Sequence, residues 1–186
     1  TDQTNVALSA VVTSNEITVS GINAPTAISV TGGKYSINNG AFTATAGTVK
    51  TGDKVKVQHT SSANYAAKVD TVLTIGGVSD TFSSTTAAKD TTPDAFAFAT
   101  KTGVVKSKPV ESDVIRVSGI NAATAISISG GEYRINGGTY TSAAGTVKNA
   151  DTVQIRHTAS ASAKTSVTST VTIGGVKATF TSTTAP

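Results

Sequence analysis

The sequence predicts an all-β chain made of two tandem antiparallel β-sandwich domains. The stretch Ser20–Gly40 returns as Ser118–Gly138 after a shift of 98 residues, and 40 of the 70 positions in residues 17–86 and 115–184 are identical. Thr, Ser, Ala, Gly and Val dominate, which are residues of strands and turns. Short segments alternate apolar and polar residues, and no window shows a sustained helical period.

The repeat divides the chain into residues 1–88, a joint with an opening strand at residues 89–98, and residues 99–186. A period of 98 residues exceeds the roughly 20–50 residues of a solenoid repeat, so each copy should bury a small core of its own. The chain has no Cys, so no disulfide supplements that core. This composition fits a cytosolic protein or a bacterial surface protein.

The first half of each copy is predicted to contain short strands with alternating inward residues. In copy one these strands cover residues 5–12, 16–20 and 27–30, and a fourth follows the Gly32-Gly33 turn. The residues predicted to face inward are Ile17, Val19, Ile28, Val30, Tyr35 and Ile37. Ser36 is predicted to face outward. Asn39-Gly40 indicates a type I′ hairpin, which needs positive φ at both central positions.

The second half of the copy continues the same pattern. Residues 42–45 are predicted to form a return strand, and residues 54–59 alternate with Val55 and Val57 inward. Four alternating inward residues mark the last long strand: Val69, Thr71, Leu73 and Ile75. Gly76-Gly77 closes a hairpin, after which residues 78–84 return with Phe82 inward. Each copy thus has seven or eight strands.

Comparison of the copies separates inward from outward positions. Inward positions are identical or conservatively exchanged, as in Tyr35/Tyr133 and Phe82/Phe180. Outward positions differ, as in Ser36/Arg134 and Asp80/Ala178. Because packing constrains core volume, burial alone accounts for most of the identity.

The joint carries Pro93, and residues 94–98 then alternate, with Phe96 and Phe98 on one side, which predicts an opening strand for copy two. Copy one has no equivalent, because Thr1 aligns with Ala99. We expect that the chain belongs to a longer array of such repeats. The alternative is that a neighbouring chain supplies the strand by β-augmentation.

The motifs DTTPDAFAF, GINA, YSINNG/YRINGG, AGTVK and TIGGV resemble a tandem repeat of bacterial secreted and cell-surface proteins. The resemblance covers both copies and implies an immunoglobulin-like or fibronectin-like sandwich at an extracellular or cell-surface location. It implies a stalk, an adhesin segment or a filament component, or an accessory module on a secreted enzyme. It carries no defined functional residues.

The two histidines, His59 and His157, are equivalent and end alternating strands. They could serve as metal ligands or general bases. However, the chain has no Cys, no HExxH and no GxSxG, and Asp53 and Asp151 lie in hairpin turns that favour Asp for local hydrogen bonds. We therefore expect no catalytic residues and no enzymatic activity.

Two acidic residues in the joint, Asp90 and Asp94, suggest a calcium site, the only cofactor that the sequence indicates. Ca²⁺ needs six to eight oxygen ligands, and two carboxylates with loop carbonyls are a small set. The alternative is that both are turn residues beside Pro93.

An aromatic residue in a predicted loop, Tyr65, is the candidate ligand-binding residue, because sugar-binding sandwiches stack glycans on exposed rings. Its counterpart in copy two is Ala163. A surface glycan is therefore one candidate partner.

The net charge of +4 does not indicate nucleic-acid binding. The basic residues of copy two are scattered singly, at Lys106, Lys108, Arg116, Arg134 and Arg156. A nucleic-acid surface would cluster them with aromatic residues. No apolar run approaches the roughly 20 residues that span a bilayer.

These features predict a non-catalytic extracellular structural module of a bacterium: a surface stalk, an adhesin segment or a filament subunit. The alternative is a carbohydrate-binding or accessory module of a secreted enzyme. Neighbouring repeats of the same or identical chains are the expected partners, and an unpaired sandwich edge could also support a homopolymer through strand addition.

Overall fold

The computed structural model describes all of residues 1–186, and the chain divides into two compact units, Thr1–Lys89 and Asp90–Pro186. Both units consist of strands and connecting segments only, which confirms the predicted all-β class with two sandwich domains. The structure contains no helix with the length and hydrophobicity that a membrane span requires.

Nine strands form the first domain. They are β1 (Gln3–Val6), β2 (Val11–Thr13), β3 (Ile17–Thr18), β4 (Thr26–Thr31), β5 (Lys34–Ile37), β6 (Gly47–Val49), β7 (Lys54–Thr60), β8 (Lys68–Ile75) and β9 (Val78–Thr86). One sheet has the order β1-β9-β8-β4-β6. In the other sheet β7 pairs with β2, β3 and β5.

Eight strands form the second domain. They are β10 (Lys101–Val104), β11 (Pro109–Arg116), β12 (Thr124–Ser129), β13 (Glu132–Ile135), β14 (Gly145–Val147), β15 (Thr152–Thr158), β16 (Ser166–Ile173) and β17 (Val176–Thr184). The sheets are β10-β17-β16-β12-β14 and β11-β15-β13. The single strand β11 occupies the place that β2 and β3 share in the first domain.

The strand order is that of an immunoglobulin-like sandwich. In one sheet the last strand, β9 or β17, lies between the first strand and the next-to-last strand, which in turn pairs with β4 or β12. In the other sheet β7 or β15 is central and pairs with β2 and β3 or with β11. Most pairs are antiparallel, as predicted. However, the first strand of each domain runs parallel to the last, because β1 pairs with β9 and β10 with β17.

Each core lies between the two sheets of its own domain and follows the alternation of the strands. On β7, Val55 and Val57 are buried, while Lys54 is exposed. The first core consists of Val12, Val19, Ile28, Tyr35, Val49, Val55, Val57, Leu73 and Phe82. The larger second core also contains Phe98, Ile115, Ile120 and Ile173.

Several predicted strands differ from the observed ones. The single strand predicted at residues 5–12 is two strands, β1 and β2, which belong to different sheets. Ser9, in the turn between the two strands, has a positive φ of 51°, and the chain crosses there from one sheet to the other. The strand predicted at residues 42–45 is reduced to one bridge, between Thr43 and Tyr35.

The hairpin turn lies one residue earlier than predicted. Its positive-φ residues are Asn38 and Asn39, matched by Asn136 and Gly137 in the second domain, and the amide of Gly40 donates to the carbonyl of Ile37 at 2.9 Å. The chain then folds back over β5. As a result Ser36, predicted to face outward, is buried and its hydroxyl donates to the Gly40 carbonyl at 2.8 Å.

The predicted opening strand at residues 94–98 is not a strand. Residues 87–100 are in no regular element, and the amide of Asp94 donates to the carbonyl of Ser118 at 2.9 Å. The alternation still places Phe98 in the second core, with Phe96 packed against it. Apolar burial and single hydrogen bonds, and not a regular strand ladder, therefore hold this segment in place.

Two tyrosines of the second domain differ in how their hydroxyls are satisfied. The buried Tyr133 donates to the carbonyl of Ala143 at 2.8 Å, as Tyr35 does to Thr45 in the first domain. The hydroxyl of Tyr140 is also buried but has no hydrogen-bond partner. A buried polar atom without a partner lowers stability, whereas a satisfied one contributes about 1 kcal/mol.

We expect the Tyr133→Phe variant to lose about 1 kcal/mol of unfolding free energy, because it leaves the Ala143 carbonyl without its donor. The Tyr140→Phe variant is the matched control and should be at least as stable as the wild type. Urea unfolding of both variants measures the difference. Equal destabilisation by both substitutions would contradict the observed hydrogen-bond pattern.

Candidate functional site

The two histidines sit in the same buried network in each domain. His59 lies on β7, and its ring bridges to the opposite sheet, with Nδ1 2.7 Å from Thr71 Oγ1 and Nε2 2.6 Å from Ser84 Oγ. Its ring lies against Phe82 at a centroid distance of 5.0 Å. The imidazole thus hydrogen-bonds across the sandwich while its face packs in the core.

His157 repeats this arrangement in the second domain. Its ring nitrogens lie 2.8 Å from Ser169 Oγ and 2.7 Å from Ser182 Oγ, and its ring stacks on Phe180 at 4.7 Å. Thr71 of the first domain and Ser169 of the second are equivalent, so a hydroxyl is kept at that position in both copies. The identity of the two histidines therefore has a packing explanation.

The hydrogen bonds are consistent with a neutral imidazole. The Thr71 hydroxyl donates to the Gly32 carbonyl at 3.1 Å, which leaves its oxygen to accept from the Nδ1–H of His59. Nε2 can then accept from the Ser84 hydroxyl. Burial lowers the pKa of both His59 and His157, because the apolar interior disfavours the charged ring.

His59 and Ser84 have the chemical groups of a general base and a nucleophile, but a substrate cannot reach them. The Ser84 side chain is 0% exposed, and His59 is buried as well. A substrate could reach the hydroxyl only if the two sheets separated. The geometry supports a structural role for this pair.

The equivalent aspartates Asp53 and Asp151 lie in turns, as expected, and connect those turns to a second hairpin. Asp53 accepts from the Lys50 amide and from the Asn38 side chain, both at 2.9 Å. The hydrogen bond from the Lys50 amide is the main reason that the pKa of Asp53 lies below its usual value. Asp53 therefore connects the turn between β6 and β7 to the turn that follows β5.

The joint aspartates, Asp90 and Asp94, are engaged in hydrogen bonds to the chain. Asp90 Oδ1 accepts from the Thr92 amide at 2.9 Å, and Asp94 Oδ2 accepts from the Ser118 hydroxyl at 2.8 Å. No group of three or more His, Asp or Glu side chains is arranged to hold a metal ion. Calcium binding at Asp90 and Asp94 stays a prediction, which melting curves with Ca²⁺ and with chelator would test.

The candidate glycan residue Tyr65 lies in the turn between β7 and β8, as expected for a loop residue, and its side chain is partly buried. Its role in ligand binding stays a prediction.

A cluster that the sequence did not indicate lies on the outer face of the second domain. The guanidinium carbons of Arg156 and Arg134 lie 4.1 Å and 4.8 Å from the centre of the Tyr140 ring. Glu132 pairs with Arg156 at 2.6 Å. The first domain has Phe42 in place of Tyr140, Ser36 in place of Arg134 and Gln58 in place of Arg156. The simultaneous difference at these three positions between the two copies is the feature of the sequence that could have indicated the cluster.

This cluster resembles a surface cation–π arrangement more than an open binding site. The two guanidinium groups cover the Tyr140 ring, which leaves that ring unavailable for stacking with a ligand. Burial is the main cause that raises the pKa of Tyr140. The cluster therefore stabilises the face on which it lies.

No protein-family model and no curated protein sequence matches this chain. Solved structures do. The chain is similar to the titin domains Z1Z2 that were crystallised in complex with telethonin, with 16% identity, a TM-score of 0.46, and 99% of this chain and 91% of that chain covered.

Two further solved structures are also similar. Domains 4 and 5 of the S-layer protein SbsC match with 10% identity and a TM-score of 0.40, over 85% of this chain and 100% of that chain. The endo-fucoidan hydrolase MfFcnA4 (H294Q variant) of glycoside hydrolase family 107 matches with 10% identity and a TM-score of 0.29, over 99% of this chain and 27% of that chain. At these scores the likenesses carry no information on function, and the fold assignment rests on the strand order.

Because the two histidines are buried, we expect the unfolding free energy to depend on pH in the range where histidine titrates, which lies above the range of carboxylates. Because the pKa of each histidine is lowered in the folded state, the unfolded chain takes up protons first as the pH falls below about 6.5. We expect each domain to keep its full stability above that pH. Below it, the unfolding free energy should fall by up to about 1.4 kcal/mol per pH unit until the folded-state pKa is reached.

Unfolding by urea at pH 7.5, 6.0 and 5.0 measures this effect. The His157→Gln variant is the internal control, because it removes the titration from the second domain and leaves His59 in the first. In this variant the unfolding transition of the second domain should lose its pH dependence, while the transition of the first domain keeps it. Equal stability of the wild type at pH 7.5 and 5.0 would refute a neutral, buried imidazole.

Proposed function

We propose that this chain is a non-catalytic structural module on the outside of a bacterial cell, within a stalk, an adhesin segment or a filament. Its sequence motifs resemble repeats of bacterial surface proteins, and its interior polar groups are used in packing. The single observation that carries the mechanical part of the proposal is the parallel pairing of the first and last strands in each domain.

This pairing determines how a domain responds to tension between its ends. In the first domain Gln3 on β1 pairs with Ser84 on β9, and Val6 pairs with Thr86. Because the strands are parallel, pulling on the start of β1 and the end of β9 slides one strand along the other. The inter-strand hydrogen bonds are then loaded together and not one after another.

The second domain has the same geometry with a longer ladder. Lys101, Thr102 and Val104 of β10 pair with β17, and the Ala185 amide donates to the Val104 carbonyl at 3.0 Å. A chain of two such domains can transmit a load without a disulfide, which its sequence lacks. This is the property that a stalk or filament segment requires.

Single-molecule extension of the chain should show two unfolding events, each releasing roughly 300 Å of chain, as expected for a domain of about 90 residues. In the Ala185→Pro variant, proline cannot donate the hydrogen bond that the Ala185 amide makes to the Val104 carbonyl of β10, so one of the two events should occur at clearly lower force.

The Thr100→Pro variant is the matched control, because Thr100 is exposed and lies outside the strand. It should leave both unfolding forces unchanged. If Ala185→Pro also left them unchanged, the parallel pair would not bear the load and the mechanical proposal would fail.

The surface location needs a separate measurement. Protease treatment of intact cells that make the protein should remove the chain, whereas a cytoplasmic control protein should survive. Survival of the chain until the cells are lysed would contradict the proposed location.

Glycan binding through Tyr65 is the second candidate function, and a carbohydrate array tests it. Binding that disappears in the Tyr65→Ala variant would favour an accessory module of a secreted enzyme. An array without binding would leave the structural role as the better proposal.

A further inference from the structure

The two domains differ at one edge of the sandwich. In the second domain, residues 90–98 run across the end of the core, and Pro93 and Phe98 are buried there. Phe96 packs beside Phe98 at a ring-centre distance of 6.2 Å. In the first domain no segment covers the equivalent surface.

Exposure of equivalent apolar residues records this difference. Ile115 is 9% exposed in the second domain, whereas its counterpart Ile17 is 44% exposed. Val78 is 76% exposed, although its counterpart Val176 is partly covered. Three further pairs change in the same direction, with the first-domain residue more exposed in each: Ile22/Ile120, Ile75/Ile173 and Thr26/Thr124.

Close contacts show that the segment sits tightly on the second domain. A Cβ built on Gly119 would lie 2.6 Å from Asp94 Oδ1, and one on Gly174 would lie 2.7 Å from Pro93 Cδ. A Cβ built on Gly21, the counterpart of Gly119, meets nothing within 4 Å. The small residues needed for close approach are thus present in the first domain without the segment that approaches them.

The uncovered surface of the first domain is a groove with a volume of about 490 Å³. Its lining includes Ser20, Gly21, Ile22, Ile75 and Val78. These are the counterparts of residues at the edge that residues 90–98 cover in the second domain. Residue by residue, the groove therefore corresponds to a surface that is covered in the second domain.

Backbone groups at the rim of the groove are available for the same hydrogen bonds. In the second domain the Ser118 carbonyl accepts from Asp94, and the amides of Asn121 and Ala122 donate to the Asp90 carbonyl. Their counterparts in the first domain are the Ser20 carbonyl and the amides of Asn23 and Ala24. No hydrogen bond within the first domain uses these groups.

We infer that this groove binds an extended segment with the chemistry of residues 90–98, Asp-x-x-Pro-Asp-x-Phe-x-Phe, carried by another repeat of the same kind. By analogy with the second domain, the proline lies against Gly76 and the backbone of the two aspartates bonds to the Ser20 and Asn23 rim. The phenylalanines cover the apolar residues of the core beside that rim. The inference rests on the comparison of the two domains and does not depend on the proposed surface location.

The path of the chain supports the direction of binding. In the second domain the segment ends where the Ala99 amide donates to Asp113 Oδ1 at 3.1 Å. The equivalent Thr1 amino group donates to Asn15 Oδ1 in the first domain. A bound segment would therefore finish beside Thr1, in line with β1.

One residue distinguishes the groove from the occupied site. The second domain has the buried Ala178, whereas the first has the exposed Asp80, which lines the groove. A carboxylate in the lining disfavours the burial of apolar side chains there. Asp80 therefore weakens the binding of an apolar segment.

Titration of the full chain with the peptide DTTPDAFAF, followed by amide chemical shifts, tests this inference. Shifts should appear at Ser20, Gly21, Asn23 and Val78 and not at their counterparts in the second domain. Replacement of both phenylalanines of the peptide by serine should abolish them. Because the peptide arm needs no protein variant, it remains informative even if a substitution in the groove unfolds the domain.

Variants of the groove give the quantitative test. The Val78→Asp variant should raise the dissociation constant of the peptide at least tenfold, and the Asp80→Ala variant should lower it several-fold. Val11→Asp is the matched control, because Val11 is 67% exposed in the same domain but lies outside the groove. It should change the constant less than about twofold, as a surface substitution away from the site would.

Three results would overturn the inference. They are no binding at millimolar peptide to either the wild type or Asp80→Ala, equal weakening by Val78→Asp and Val11→Asp, and equal binding of the serine-substituted peptide. Sedimentation of the chain alone tests for a different occupant of the groove. A dimer that the Val78→Asp substitution abolishes would show that the surface of a second copy, and not this segment, occupies the groove.

Discussion

Each domain depends on closing a small sandwich of about 90 residues without a disulfide. The closing interaction is the buried imidazole, which reaches from the central strand of one sheet to hydroxyls on the opposite sheet, at 2.6–2.8 Å in both copies. Such a polar group is tolerated in the core because every partner is satisfied. It also fixes which strands face each other, since a shift of one residue would place the ring outside.

The duplication makes each domain a control for the other. Where both copies keep a residue, as with His59 and His157, the contacts explain the identity by packing. Among the many positions that differ, two groups change the surface of a domain most clearly: the outer face around Tyr140 and the groove edge around Asp80 and Ala178. These two places distinguish what each domain can contact, while the shared interior supplies the scaffold. Both domains have the parallel pair of the first and last strands, so we expect them to respond to tension in the same way.

The alternation along β4, β7 and β8 predicted those strands and their inward residues, because a period of two reports a half-buried sheet directly. Prediction was poorer where the chain changes sheets. Val11–Thr13 reads as a continuation of the first strand, yet a positive φ at Ser9 moves it across the sandwich. The short strand β6 was missed because Gly47–Val49 has one inward residue and no alternation to detect. Ser36 was placed outside because the fold-back of residues 40–45 cannot be read from its neighbours.

By itself, the sequence determined the all-β class, the two copies and most of the core, since strand periodicity and the repeat are local properties of the chain. Only the tertiary structure decided which sheet each edge strand joins, that the histidines are enclosed, and that residues 90–98 cover one domain while the matching groove of the other is bare. Those properties depend on contacts between segments that are distant in the sequence. Such contacts determine which side chains are buried, and local sequence patterns do not reveal them.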